Sequence, residues 1–233
     1  MILGLDTTTT FLHLALIEAP TGGRTWARRV EVGVGRSHST ALLPSLDALM
    51  AEAGASPKDL TGAVACVGPG GFTSLRIGVA TAEGLALTGV PTWGFSAFEL
   101  RAHALRETGV KGLFWVLLDG QRGDVFAQPW GENNSPSAPA CKHPMKDLSA
   151  LLLGQPWWAP GEFADKIDQP NRIALDDEGN AMLLGLVALC RKRTSAPPES
   201  PLVPFYLRET DAEVNFPEAS RHLSDALRQG HAR

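Results

Sequence analysis

The chain has 233 residues, 44% of them hydrophobic, which supports a sizeable core in one large domain or two modest ones and removes any need for disulfide or metal staples. A formal charge of −4 and a pI near 5.9 argue against a broad basic footprint, so any nucleic acid would be held mainly by a partner.

Ile2 to Asp6 reads as a short apolar strand, Thr7 to Thr10 as a polar turn and Phe11 to Glu18 as a second strand, an opening hairpin. Thr25 to Val34 gives a third strand. A helix is predicted from Ser39 to Ala53, with Leu42, Leu46, Leu49 and Ala53 on one stripe, Leu43 and Met50 widening it, and Gly54 ending it. Ala63 to Val67 is a compact strand running into Gly68-Pro69-Gly70-Gly71, and a helix follows from Thr73 to Thr88. Val90 to Phe95 is a strand; Ser96 with Glu99 three residues on makes a capping box for a helix to Thr108.

Leu113 to Asp119 and Asp124 to Pro129 repeat the opening hairpin, Leu118-Asp119 matching Leu5-Asp6, a weak internal repeat. Gly131 to Lys146, rich in Asn, Ser and Pro, is an expected loop. Asp147 to Leu153, Glu162 to Ile167 and Asn180 to Arg193 read as helices, followed by a Pro-rich segment from Ala196 to Pro204 and a tail helix from Ala219 to Gln229. The order predicts mixed sheets flanked by helices, an α/β fold. Cys66, Cys141 and Cys190 have no zinc-binding spacing and read as reduced thiols. The N-terminus lacks a signal-peptide pattern, and no apolar run approaches the roughly 20 residues that span a bilayer, so a soluble, cytoplasmic protein is expected.

Two places suggest chemistry. At Asp6-Thr7-Thr8-Thr9 a strand delivers a carboxylate and hydroxyls to a tight turn, which suits phosphate or a metal; the alternative is a hairpin whose Asp and Thr satisfy their own backbone. Gly68-Pro69-Gly70-Gly71 precedes a helix N-terminus that offers free N–H groups to an anion, yet no Gly-Lys-Ser/Thr follows, so it also reads as a tight structural turn. No catalytic elbow, His-Glu-x-x-His or His-x-x-x-His pair occurs among the six histidines. His38 reads as a capping or surface residue, Asp119, Arg122 and Asp124 as a solvated turn, and Trp157-Trp158 as core or interface bulk. The helix after the glycine turn carries only Arg76 and Glu83 as charges, and Gly78, Ala82 and Ala86 recur every fourth residue. Such a helix is covered on more than one side, either by the chain's own fold, the commoner case, or by a second chain, and the broad stripe before it favours a helical interface shared with another chain.

Taken together, the residues resemble the TsaB (YeaZ) family. Ile2-Leu3-Gly4-Leu5-Asp6-Thr7 is similar to the family's ILALDTS opening, and Gly68 to Gly78 to its GPGSFTGLRIG signature. His38 to Pro44 resembles its His followed by Leu-Leu-Pro, Asp119 to Val125 its Asp-Ala-Arg turn, and Pro204 to Arg208 its late Pro-x-Tyr-x-Arg. Gly71 replaces Ser, Ser74 replaces Gly, and Gly120-Gln121 interrupt Asp-Ala-Arg.

The resemblance implies an ASKHA (actin/Hsp70/sugar kinase-like) fold of two related lobes, taken here as residues 1–108, with partner-binding helices, and 109–233. It implies a non-catalytic scaffold that binds TsaD, the catalytic paralogue with a His-x-x-x-His metal site, and works with TsaE, an ATPase, to make threonylcarbamoyladenosine in tRNA. A homodimer is expected when TsaD is absent, tRNA contact mainly through the complex, and no membrane. Partner-binding residues are expected at Leu42, Leu46, Leu49, Met50, Gly78, Ala82 and Leu85. Asp6, Thr7, Gly68, Gly70 and Gly71 would line any nucleotide site. No catalytic residue, metal or cofactor is expected, nucleotide entering only in the complex. The runner-up is an enzyme, an M22-like glycoprotein endopeptidase or an ASKHA nucleotide-binding enzyme.

Overall fold

A computed structural model gives the fold, and it describes residues 1–32 and 37–207. The expected tail helix lies outside the described residues. Strands β1 (Ile2–Asp6), β2 (Phe11–Ala19) and β3 (Gly22–Glu31) form an antiparallel meander. Helix α1 (His38–Ala53) then crosses to β4 (Gly62–Gly68), parallel to β1, and α2 (Phe72–Ala86) crosses to β5 (Thr92–Ser96), parallel to β4. The five-stranded order is β3-β2-β1-β4-β5.

Helix α3 (Ala97–Glu107) leads to the second sheet, built from β6 (Phe114–Gln121), β7 (Asp124–Trp130), β8 (Cys141–Pro144) and β9 (Trp157–Trp158) in the order β8-β7-β6-β9. Short helices α4 (Leu148–Leu152) and α5 (Gly161–Asp165) flank β9, and α6 (Glu178–Arg193) returns to lie against β1, β2 and α3. The predicted loop Gly131 to Lys146 holds one strand, β8, which pairs with β7; Trp157-Trp158 is likewise a strand, buried as the core reading supposed.

Strand parity assigns the two faces of the first sheet. Leu3, Leu5, Leu12, Leu14, Leu16, Ala63 and Ala65 point to α1 and α2; Ile2, Ala15, Ile17, Val64 and Cys66 point to α3 and α6. Because successive side chains alternate, Asp6 and His13, paired across β1 and β2, fall on the α3 side with Cys66. The local signals read in the sequence hold: Ser96 and Glu99 close a reciprocal capping box, and Gly54 ends α1 at a φ of 65°. Among the described residues no helix is long and apolar enough to cross a membrane.

Candidate functional site: a closed acid–glycine site and an outward helix face

Asp6 is completely buried at the end of β1. Its Oδ1 accepts hydrogen bonds from the Thr8 backbone N–H at 2.9 Å and the Thr8 hydroxyl at 2.6 Å, the self-satisfying turn that was one of the two sequence readings. Its Oδ2 faces the Arg101 Nη1 of α3 at 3.5 Å and the His13 Nδ1 of β2 at 3.6 Å. Arg101, 2% exposed, also donates to the Ala97 carbonyl at 3.2 Å and the Thr8 hydroxyl at 3.3 Å. Burial alone would raise the Asp6 carboxyl; the Arg101 guanidinium, then His13 and Thr8, outweigh it and hold the group well below the usual carboxylate range. Asp6 Oδ2, both His13 ring nitrogens and Arg101 Nε make no hydrogen bond, so Asp6 Oδ2 is held by the charge of the Arg101 guanidinium.

The neighbouring Cys66 thiol is pushed far up by burial and by the Asp6 carboxylate, which leaves it inert as a nucleophile. All three cysteines are free thiols.

The glycine turn does meet the acid turn. At Gly70 an added Cβ would lie 2.5 Å from Thr8 Cβ and 2.7 Å from the Thr8 carbonyl oxygen, so only glycine lets the two turns touch. Behind the turn, the Phe205 N–H donates to the Val67 carbonyl at 2.6 Å. Thr7, fully buried, donates its hydroxyl to the Ser74 carbonyl at 2.7 Å. The structure thus brings the acid turn of Asp6, Thr7 and Thr8 against Gly70 and Gly71, whose N–H at Gly71 donates to the Thr8 carbonyl at 3.4 Å, while Gly68 faces the Phe205 carbonyl and Leu75 instead. Among the described residues no group of three or more His, Cys, Asp or Glu is placed to hold a metal ion.

The residues expected on a partner surface lie elsewhere than a surface. Leu42, Leu46, Leu49, Met50 and Ala82 are buried in this chain's own core, and Leu85 is half-buried against it. An added Cβ at Gly78 would sit 2.5 Å from the Thr7 hydroxyl, so that glycine serves the approach of α2 to β1. The physical reason is the leucine face of β1 and β2, which needs both helical stripes to cover it.

The outward faces of the same helices carry the exposed apolar groups: Leu43 on α1, Phe72 at the start of α2 and, just past its end, Leu87, which is 91% exposed. Beside them the Arg76 guanidinium lies 3.9 Å above the Phe72 ring, and its Nε donates to the Tyr206 hydroxyl at 3.2 Å. The Phe72 and Tyr206 rings lie 5.4 Å apart between centroids, tilted by 31°.

Sequence reasoning missed Arg101 and His13. A signal existed: Arg101 falls on the stripe of Ala97, Phe98, Ala104 and Leu105, all buried, and a cation on an apolar stripe calls for a buried anion. His38, read as capping or surface, is buried as the first residue of α1, while Ser37 takes the N-cap position.

Residues 32–136 match the family profile described as TsaD, tRNA N6-adenosine threonylcarbamoyltransferase. The tRNA threonylcarbamoyladenosine biosynthesis protein TsaB of Bacillus subtilis is 30% identical over 126 residues, 54% of this chain and 52% of that protein, so the match spans about half of that relative. The protein of the same name from Haemophilus influenzae is 25% identical over 226 residues, 89% of this chain and 93% of the relative. An uncharacterised Mycobacterium tuberculosis protein is 30% identical over 185 residues, 76% of this chain and 78% of that protein. Among solved structures, YeaZ from Pseudomonas aeruginosa superposes with a TM-score of 0.70 at 22% identity, covering 88% of this chain and 99% of that one.

Proposed function

The chain belongs to the TsaB (YeaZ) family and has an α/β, ASKHA-like fold, and on that premise we propose that it is a non-catalytic scaffold in tRNA threonylcarbamoyladenosine biosynthesis. Its task is to bind and position a TsaD-type transferase, with a TsaE-type ATPase joining the assembly and tRNA held mainly by the other subunits.

One observation carries this reading: the carboxylate best placed to serve a ligand at the strand–turn, Asp6, is fully buried and already neutralised by Arg101. A carboxylate that recruits a metal or a phosphate-bound cation must be open to it. Here the chain supplies its own cation, which suits a fold that has kept the shape of a nucleotide-handling core and turned it to structural use.

The contact surface for the transferase is then the outer face of α1 and α2, around Leu43, Phe72, Arg76 and Leu87, flanked by Tyr206. Large apolar groups beside an ordered arginine are the composition of an interface hot spot. The test is co-purification with a TsaD-type transferase. The wild-type chain retains it, and Phe72→Asp, on an exposed position, loses it while keeping its circular dichroism spectrum. Retention by Phe72→Asp and Leu87→Asp alike would overturn this placement of the surface.

A further inference from the structure

Strand β3 is an open edge of the first sheet: it pairs with β2, and among the described residues no strand pairs with its other side. The Val32 N–H donates to the Thr10 carbonyl at 2.9 Å, which makes these two residues a hydrogen-bonded pair. Bonding alternates along an antiparallel ladder, so in the observed register Val30, Arg28 and Trp26 bond to β2 as well. The N–H and C=O groups of Thr25, Ala27 and Arg29 therefore point away from the sheet, and no described backbone group takes them. All three residues are exposed, and their side chains share the sheet face on which α6 lies.

Helix α6 runs along that edge. Its start meets Arg29, where an added Cβ at Gly179 would lie 2.8 Å from Nη1, and its end meets Thr25, whose hydroxyl is 3.5 Å from Arg191 Nη2. Leu184 and Val187 stand on the same side of α6 as Arg191, at helical spacing from it. Leu184 is 40% exposed and Val187 half-buried, so an apolar ledge overlooks the strand edge with a cation at either end. Arg29 and Arg191 have no ion-pair partner among the described residues, and Arg29 is held 3.6 Å above the Phe11 ring.

We propose that this edge takes up an extended peptide segment of a partner protein as a further strand, one that carries two carboxylates four residues apart with an apolar residue midway. A long unpaired edge is a template for another strand, and a peptide added to it is held by main-chain bonds and read through its alternate side chains. Thr25 and Arg29 are four residues apart, about 13 Å at the rise of a strand. Two carboxylates at that spacing on one face of the incoming strand reach Arg29 and Arg191, and the residue between them lies opposite Ala27 beside Leu184 and Val187. The pattern is symmetric, so either strand direction satisfies it.

The charges choose the occupant. Glu31, exposed one step beyond Arg29 on the same face, repels a third carboxylate. A second copy of β3 is disfavoured, because the strand carries Arg24, Arg28 and Arg29 against Glu31 alone. A nucleic-acid backbone has no row of N–H and C=O groups to match the edge.

The test is fluorescence anisotropy of a labelled peptide, Thr-Thr-Glu-Thr-Val-Thr-Glu-Thr-Thr, titrated with the full chain. Saturable binding is expected, and Arg29→Glu and Arg191→Glu each weaken it at least about tenfold. Exchanging both glutamates of the peptide for lysine abolishes binding to the wild type and restores it to the double variant Arg29→Glu, Arg191→Glu. Ala27→Pro removes an N–H that faces the open edge and leaves the bonds to β2 in place, so it abolishes binding while circular dichroism is unchanged. Absence of binding up to millimolar chain would overturn the proposal and leave the arginines as guards of the edge. Equal affinity for the lysine peptide, or undiminished binding by a folded Ala27→Pro chain, would overturn it too.

Discussion

The Asp6 carboxylate and the Arg101 guanidinium face each other at 3.5 Å, one fully buried and the other 2% exposed. The pair links the end of β1 to α3 across one face of the first sheet. Breaking it from one side leaves a buried charge without its partner. Arg101→Met is therefore expected to destabilise the chain by about 3 to 5 kcal/mol. The double variant Asp6→Asn, Arg101→Met recovers much of that loss, and urea unfolding of the four species in a double-mutant cycle reads the coupling.

The same pair sets an acid limit. The Asp6 carboxyl is held below its unfolded value, so its contribution is fully present above the unfolded pKa of about 3.9 and is lost as pH falls toward the folded one. Unfolding free energy measured below about pH 4 should fall less steeply in Asp6→Asn than in the wild type. Parallel profiles would show that Asp6 titrates normally.

His103 acts in a higher window. Burial, and then the nearby Lys192 ammonium, lower its pKa from 6.5 to about 4; Glu99 opposes them and Arg193 adds to them, while Asn134 Nδ2 sits 3.1 Å from its Nδ1. The unfolded chain takes up a proton that the folded one refuses, so stability is lost as pH drops from about 6.5 toward 4, by on the order of 2 kcal/mol. His103→Gln should flatten the profile between those values, as thermal unfolding at closely spaced pH will show.

Helix α2 approaches β1 through Gly78, and α1 covers the sheet with Leu46. Gly78→Leu and Leu46→Asp should therefore unfold the chain, where a surface role would have given a folded monomer. Overpacking at the first costs about 1 to 3 kcal/mol or more, and an unpaired charge at the second about 3 to 5. Circular dichroism and size measurement on the same samples separate unfolding from dissociation.

With Asp6 closed by Arg101 and the glycine turn filled by Thr8, ATP should not raise the melting temperature of the isolated chain. Asp6→Ala should lower that temperature equally with and without nucleotide. A large ATP-dependent rise abolished by Asp6→Ala would revive an enzyme-like reading.

The architecture of the first sheet was legible in the sequence because its signals are local. Ser96 with Glu99, Gly54, and the short apolar runs of β1 and β2 bounded by polar turns each report on their immediate neighbours. β8 and β9 were not legible: Trp157-Trp158 is too short to show a period, and Cys141–Pro144 is a half-exposed strand inside a Pro- and Ser-rich run. The stripe of Leu42, Leu46, Leu49 and Met50 correctly marked a covered face, but periodicity does not say what covers it, and here the cover is the chain's own sheet. Asp6 and the glycine turn were found because turn chemistry is written in consecutive residues. Arg101 and His13 complete that site from other elements, and only the pairing of β1 with β2 and the docking of α3 bring them to it.

The most direct test of the scaffold reading is reconstitution with purified components. Threonylcarbamoyl-adenylate and tRNA are incubated with this chain alone, with a TsaD-type transferase alone, and with both, and modified nucleoside is quantified by mass spectrometry. The account predicts none with the chain alone and a rate with both that exceeds the transferase alone. Modified nucleoside formed by this chain without the transferase would contradict it.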